Sequence, residues 1–581
     1  MRSRAVLAVI VAIAGAGAMA SAVSPWSPLR RSGSPAVGPE LRAETSLTPS
    51  TRRDGRAARA TDTVAVLIGR RLAGGGMMSP TLVRRFYEGR GHAAAWSSEG
   101  GVGREAGEML RAVRGAEGEG LRADEYRAAA IAERLGSPGA RNASAGPDPA
   151  ARAELDILLT DAFLTLGTHL TRGRVEPTRI HAGWTLGPRE VDVVAALEAA
   201  LRGDGVERAV AALAPDDPEY AAVRGALRRY RDMAERGGWE PVEGRLLKAG
   251  DAGEGVVALR ERLAAEMPVP AGDAADVFDG VLEGAVRAFQ RSHGLGDDGV
   301  VGPATRSAMN VSAAARVAQL ERTLERLRWR PADLGSRHIR VDIPAFELAV
   351  VENRRTVLSM RVIGGRPDWR TPIFSARMSA VVLSPYWNIP ASIAAREVVP
   401  DARRDPGYLE RNEIRVLSGG RIVSPANVNW SRFDASSYRL RQDPGPANPL
   451  GGVKFVFPNQ YNVYLHDTPG RHLFAEPQRA FSHGCMRIEK PLELAEYLLG
   501  PLGWDRGEID RAIARRVERS VPLPETIPVH VLYQTAWVDG DGTVQFREDL
   551  YGHDRRLVEV LEGRTGRVSE LPSEDCDADA V

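Results

Sequence analysis

Two cysteines occur in the 581 residues, Cys485 and Cys576, and they sit in opposite surroundings. Cys485 lies in Phe481-Ser482-His483-Gly484-Cys485-Met486-Arg487, a short way beyond Tyr464-Leu465-His466-Asp467-Thr468-Pro469. A thiol becomes a strong nucleophile when an imidazole takes its proton and local dipoles stabilise the thiolate. His466 ends a strand-like run, a rigid place from which to aim a base. Gly484 lets the backbone turn so that N–H groups near Cys485 face a developing oxyanion. His483 and Cys485 are two apart and share a face if the segment is extended, so spacing leaves both histidines as candidate bases. His466, His472, His483 and Cys485 are also zinc-ligand types, although their spacing matches no familiar zinc pattern. Ser482 is a weaker nucleophile than the thiol beside it. Cys576 falls in Ser573-Glu574-Asp575-Cys576-Asp577, where carboxylates disfavour a thiolate. A Cys485–Cys576 disulfide would tie a patterned segment to a tail whose composition favours disorder.

The elements that must position these groups are strands. Ile339, Val341 and Ile343 alternate, as do Phe346, Leu348 and Val350, and Glu352-Asn353-Arg354 supplies a turn. The pattern continues through Arg361–Gly365, Thr371–Phe374, Val453–Phe457 and Val463–Leu465. Residues 385–449 form a long, polar, Pro-rich insertion holding Trp387 and Trp430; insertions this long within a domain commonly act as lids. A helix and two strands, Val529–Tyr533 and Thr543–Phe546, are expected to close a β-rich domain spanning 337–562.

Upstream, helical period dominates 61–245, with Leu155, Leu158, Leu159, Ala162, Leu166 and Leu170 near one helix face. Trp96, Tyr126 and Trp184 read as core or elbow aromatics. Residues 246–312 hold two amphipathic helices and a Gly-rich exit, and 313–336 a connecting helix. Residues 23–60, rich in Ser, Pro, Arg and Gly, read as a disordered linker, and 563–581 as a disordered acidic tail. Met1-Arg2-Ser3-Arg4, the apolar run from Ala5 and the small residues ending at Ala22 have the order of a secretory signal peptide, 1–22. The alternative is an uncleaved membrane anchor, since Ala5 to Ala22 approaches bilayer-spanning length. The 77 basic and 76 acidic side chains nearly cancel, which removes the broad positive field of a nucleic-acid-binding protein.

His466 followed by Ser482-His483-Gly484-Cys485 and Arg487 resembles the signature of the L,D-transpeptidase family, with its YkuD-type catalytic domain. Asn448-Pro449-Leu450-Gly451 and the run around His466 resemble its large periplasmic, lid-bearing branch. Phe289-Gln290-Arg291-Ser292-His293-Gly294-Leu295, Asp298-Gly299 and Gly302-Pro303-Ala304-Thr305 resemble the three-helix peptidoglycan-binding module. The resemblance implies a multidomain α+β chain: a mostly helical scaffold, the small module, and a β-rich catalytic domain with a long lid insertion. It implies Cys485 as nucleophile, His466 as proton donor and acceptor, the Asp467 carbonyl orienting that ring, and supporting roles for His483 and Gly484. Substrate contacts would fall to Arg487, Ser482, Tyr464 and Trp387, with no metal and no organic cofactor. The implied partners are peptidoglycan stem peptides, a tetrapeptide donor and a diaminopimelate amine acceptor, in the periplasm of a Gram-negative bacterium. Rival expectations are an L,D-carboxypeptidase and a non-catalytic wall-binding scaffold.

Overall fold

A computed structural model describes residues 54–98, 101–136, 148–270 and 274–564. The export signal read at 1–22, the linker as far as residue 53, and Cys576 lie outside the described residues.

The N-terminal region is helical and built around Pro149–Arg172. Asp148 starts that helix by accepting the N–H of Ala150, and Pro149 occupies a first-turn position where no donor is lost. Leu159, Ala162, Leu166 and Leu170 are buried along it. Two polar residues are buried with them and satisfied. Asp156 accepts the N–H groups of Ala95 (2.8 Å) and Trp96 (2.9 Å), and Thr160 accepts the Trp96 indole N–H (2.9 Å). Trp96 and Tyr126 are core aromatics, as their sequence context implied.

In the small module, helices Glu254–Glu266, Gly280–Ser292 and Pro303–Met309 enclose Leu259, Leu263, Val286, Phe289 and Met309. The Gly-rich exit has a structural cause. The Gln290 amide donates to Asp298 (2.7 Å), the Val300 carbonyl (3.0 Å) and Thr305 (3.0 Å), while its oxygen accepts the Gly299 N–H (2.9 Å). Gly299 has φ +76°, a conformation glycine adopts without strain.

The C-terminal domain holds, among the described residues, a nine-stranded sheet. Its strands are β1 (Arg337–Asp342), β2 (Glu347–Glu352), β3 (Arg355–Gly365), β4 (Phe374–Leu383), β5 (Val453–Val456), β6 (Leu465–His466), β7 (Ala480–Ser482), β8 (Met486–Ile488) and β9 (Arg519–Leu532). The spatial order is β7-β3-β8-β6-β5-β4-β9-β1-β2, and pairing of β2 with β3 closes the sheet on itself. Closure leaves only the short β7 at an edge among the described residues and surrounds a core that includes Ile339, Val381, Phe455, Leu465 and Met486.

The insertion between β4 and β5 is a folded lobe. Trp387–Ile389, Arg439–Gln442, Ile414–Ser418 and Arg421–Val423 form a four-stranded antiparallel sheet in that order, with helical turns over 391–411. Its Ile389, Ile393, Val399, Val416 and Leu440 join the core of the catalytic domain. Asn448 clips the two roots together: its amide donates to the carbonyls of Pro385 (3.0 Å) and Asp443 (3.2 Å), and its oxygen accepts the Leu450 N–H (2.8 Å).

Two elements outside 61–245 pack into the helical core. Val544–Phe546 does not close the catalytic sheet; it pairs with Ala536–Val538 in a separate hairpin, whose Ala536, Val544 and Phe546 pack into the helical core. Ala313–Arg328, read as a connector, also belongs to that core through Leu320, Leu324 and Leu327. Gln319 on this helix donates to the carbonyls of Thr535 (2.8 Å) and Arg547 (2.9 Å) on the hairpin. The cause is amphipathicity on more than one face: each element has apolar residues to bury, and the nearest complementary surface is helical.

Candidate active site

β6 and β8 run parallel, with Leu465 beside Met486 and His466 beside Arg487; β5 runs antiparallel to β6, with Lys454 opposite His466. The Met486 N–H donates to the Tyr464 carbonyl (3.2 Å), carrying the register back to Cys485. Strand alternation therefore collects Lys454, Tyr464, His466, Cys485 and Arg487 on one face. The Lys454 ammonium sits 4.1 Å from the centre of the Tyr464 ring, and the Tyr464 and His466 rings meet edge to face at 5.9 Å.

His466 is fully buried. Its Nδ1 lies 2.5 Å from the Asp467 carbonyl oxygen, which can only accept, so Nδ1 carries the proton. Nε2 is buried, has no hydrogen-bond partner among the described residues, and keeps its lone pair. Burial, reinforced by the Arg487 and Lys454 charges and only partly opposed by the Asp467 carbonyl, pulls the ring down to about 3. Asp467 is anchored in turn, accepting the Gly452 N–H (2.9 Å) and pairing with Arg471 (2.7 Å).

His483 has a different setting. The turn at Gly484, φ +111°, interrupts the extended conformation that would place His483 and Cys485 on one face. The Arg366 guanidinium donates to His483 Nε2 (3.0 Å), which occupies that lone pair. Glu397 of the lid lies 3.3 Å from the same nitrogen, and Trp369 meets the ring edge to face at 4.7 Å. His483 thus stands at the seam between lid and sheet.

Cys485 is 1% exposed. Burial pulls the guanidinium of Arg487 down to about 10 and also lowers the Lys454 ammonium, and in both cases the Cys485 charge acts in the opposite direction. Ser482 is committed inside the turn: its hydroxyl donates to the Cys485 carbonyl and accepts the Gly484 N–H (3.1 Å). Trp387 is 4% exposed and packs in the apolar core where lid and sheet meet. Among the described residues, no cluster of three or more His, Cys, Asp or Glu is placed to hold a metal ion.

The sequence reading did not single out Lys454, Thr371, Arg366 or Glu397. Lys454 carried a usable signal, a lone charge inside the alternating run Val453–Phe457. The others come from loops and the lid, where no period announces a contact.

Residues 336–531 match the L,D-transpeptidase catalytic domain, 252–309 the "Putative peptidoglycan binding domain", and 81–227 the scaffold domain. A "Putative L,D-transpeptidase" of Haemophilus influenzae (strain ATCC 51907 / DSM 11121 / KW20 / Rd) is 36% identical over 219 residues, covering 37% of this chain and 44% of that protein. The match therefore spans less than half the length of that relative. An L,D-transpeptidase crystal structure (residues 123–326) from Xylanimonas cellulosilytica DSM 15894 aligns at 17% identity and a TM-score of 0.17, over 50% of this chain and all of that one. L,D-transpeptidase 1 of Mycobacterium tuberculosis aligns at 16% identity and a TM-score of 0.15, over 34% of this chain and 61% of that one. The chain thus carries a segment matching the L,D-transpeptidase catalytic domain, preceded by segments matching a scaffold domain and a peptidoglycan-binding module.

Proposed function

We propose that the protein is a cysteine-dependent acyltransferase that forms 3→3 cross-links between peptidoglycan stems. The carrying observation is the tautomer of His466. With Nδ1–H fixed on the Asp467 carbonyl, Nε2 is a buried, neutral base on the same sheet face as Cys485. His483 Nε2 already accepts from Arg366, which favours His466 over its rival.

Cys485 Sγ attacks the carbonyl at the L-centre of diaminopimelate in a tetrapeptide stem, and its proton passes to His466 Nε2. The tetrahedral oxyanion collapses, the C–N bond breaks, and D-Ala leaves with that proton, so a thioester remains. The side-chain amine of a second stem then attacks the thioester and gives its proton to His466; the C–S bond breaks, and the sulfur is reprotonated. No oxidant, metal or organic cofactor enters this balance. Arg487 and Lys454 hold positive charge beside the sulfur, which stabilises the thiolate form.

Because Cys485 is 1% exposed, substrate entry requires local movement, and the lid is the folded element beside the turn. A closed lid excludes water, the competitor of the amine acceptor, and this favours transpeptidation over carboxypeptidase activity. Such chemistry on wall peptides belongs outside the cytoplasm, in keeping with the export signal read at 1–22, and we assign the protein to the periplasm of a Gram-negative bacterium.

The test is incubation of the purified protein with disaccharide-tetrapeptide and mass spectrometry of the products. A cross-linked dimer, with a transient mass on Cys485 equal to the disaccharide-tripeptide acyl group, is the expected result. Tripeptide monomer alone would make it a carboxypeptidase, and unchanged substrate a binding protein.

A further inference from the structure

We infer that Thr371, held by Tyr551, is a positioning residue that sets the Gly484–Cys485 peptide so that the Cys485 N–H faces the acyl donor's carbonyl oxygen. The inference rests on the acyl-transfer reading and adds to it the part that orients the oxyanion donor.

A peptide group is planar and trans, so its carbonyl and N–H point in opposite directions. Whatever holds the Gly484 oxygen therefore aims the Cys485 N–H. The holder is Thr371, whose hydroxyl donates to the Gly484 carbonyl (2.8 Å). Donor and acceptor are unambiguous, because the same hydroxyl oxygen accepts the Gly365 N–H (2.9 Å), leaving its proton for Gly484. The Gly484 N–H is directed at Ser482 Oγ (3.1 Å).

Thr371 is 1% exposed and is itself fixed by Tyr551, which is 2% exposed. The Tyr551 hydroxyl donates to the Gly365 carbonyl (2.8 Å) and accepts the Thr371 N–H (3.2 Å). The Tyr551 N–H donates to the Tyr533 hydroxyl (2.9 Å), which donates to Asp549 (2.7 Å). The loop from Gly365 to Thr371 thus grips the nucleophile turn at two points, with the Arg366 N–H on the Ser482 carbonyl (3.0 Å) as the second. Space around it is tight: a Cβ on Gly365 would lie 2.1 Å from the Trp369 carbonyl oxygen. Tyr551 lies beyond the matched catalytic-domain segment, 336–531, so the C-terminal extension takes part in shaping the site.

The test separates two reactions of one sulfur in the full chain. Acylation of Cys485 by a carbapenem passes through an oxyanion, whereas alkylation by iodoacetamide is a direct displacement without one. Thr371→Val, nearly isosteric, should slow acylation about tenfold to 10²-fold, less than or comparable to deleting an oxyanion donor. Alkylation should stay within about twofold of wild type, since thiol access and protonation are not altered. Thr371→Ser should restore acylation, and Tyr551→Phe, which keeps the ring, should give an intermediate loss of acylation alone; these two decide the matter if Thr371→Val does not fold. Equal loss of both reactions in Thr371→Val and Tyr551→Phe, or no loss in either, overturns the inference. A wild-type protein that carries no acyl adduct on Cys485 defeats the acyl-transfer reading itself, and this inference with it.

Discussion

His466 Nδ1 lies 2.5 Å from the carbonyl oxygen of Asp467, and this contact decides which ring nitrogen can take a proton. The free lone pair is on Nε2. His466→Ala should therefore lower the rate of Cys485 acylation by the roughly 10²–10⁴-fold expected for loss of a general base. His483→Ala should cost less, because its Nε2 is engaged by Arg366. Intact-mass kinetics with a carbapenem reads both, and a normal rate in His466→Ala with none in His483→Ala would reverse the assignment.

The same site predicts an unusual pH profile. Burial, with help from Arg487 and Lys454, holds His466 at about 3, so the ring stays neutral well below the ordinary histidine range. Acylation should show no inflection near pH 6.5 on the acid side, with its acid limb displaced toward pH 3. Arg487→Met removes one cation and should move that limb upward. An inflection near 6.5 in the wild type would show that His466 is not the titrating base.

Lid closure should control the fate of the acyl-enzyme. Asn448→Ala removes the contacts joining the lid roots at Pro385 and Asp443, of which the Pro385 carbonyl is buried and its loss of a partner costs about 1–3 kcal/mol. A looser lid admits water, so the ratio of tripeptide to cross-linked dimer should rise several-fold. An unchanged ratio with unchanged rate would exclude the lid from acceptor selection.

The parts of this architecture legible in sequence are those with a period. Alternation at Ile339, Val341 and Ile343 marked the sheet, and the 3.6-residue spacing from Leu155 to Leu170 marked the central helix. The nucleophile was legible for another reason: Cys485 follows a glycine and neighbours two histidines, and few residue types do thiol chemistry. The choice between those histidines was not legible. It depends on which nitrogen meets Asp467 and which meets Arg366, and residue spacing carries no information on tautomers. The destination of Val544–Phe546 was also hidden, because alternation shows that a strand has an apolar face but not which core receives it.

In the small module, Gln290→Ala should strip the buried Gly299 N–H of its acceptor, while the Val300 carbonyl keeps the Gly302 N–H and the Thr305 hydroxyl keeps its bond to Val300. At about 1–3 kcal/mol for a buried group left unsatisfied, the loop 298–305 should lose protection before the rest of the chain. Hydrogen exchange resolved by peptide checks this, and uniform protection across 280–309 would show that the motif is not what holds the loop.

Stability should fall on mild acidification, and the sign follows from the buried histidines. Burial holds His553 at about 3 and His169 and His530 at about 4 in the folded chain, whereas an unfolded histidine titrates near 6.5. Between about pH 6.5 and 4 the unfolded chain takes up protons that the folded chain excludes. Stability is therefore lost as the pH falls through that window, by up to about 1.4 kcal/mol per pH unit for each fully titrating group. Asp342 acts in the opposite sense: burial pushes it up to about 7, so the folded chain binds a proton there that the unfolded chain does not hold above about pH 4. Burial raises Asp156, Glu125 and Glu347 in the same sense as Asp342, and it lowers His466, His181, His293 and His338 as well, so seven histidines stand against four carboxylates. The urea midpoint should drop between pH 7 and pH 5, and His553→Phe, which removes one titrating ring beside His181 and Tyr533, should make the drop shallower. A midpoint that holds constant or rises over this range would show that these rings become charged without unfolding the chain.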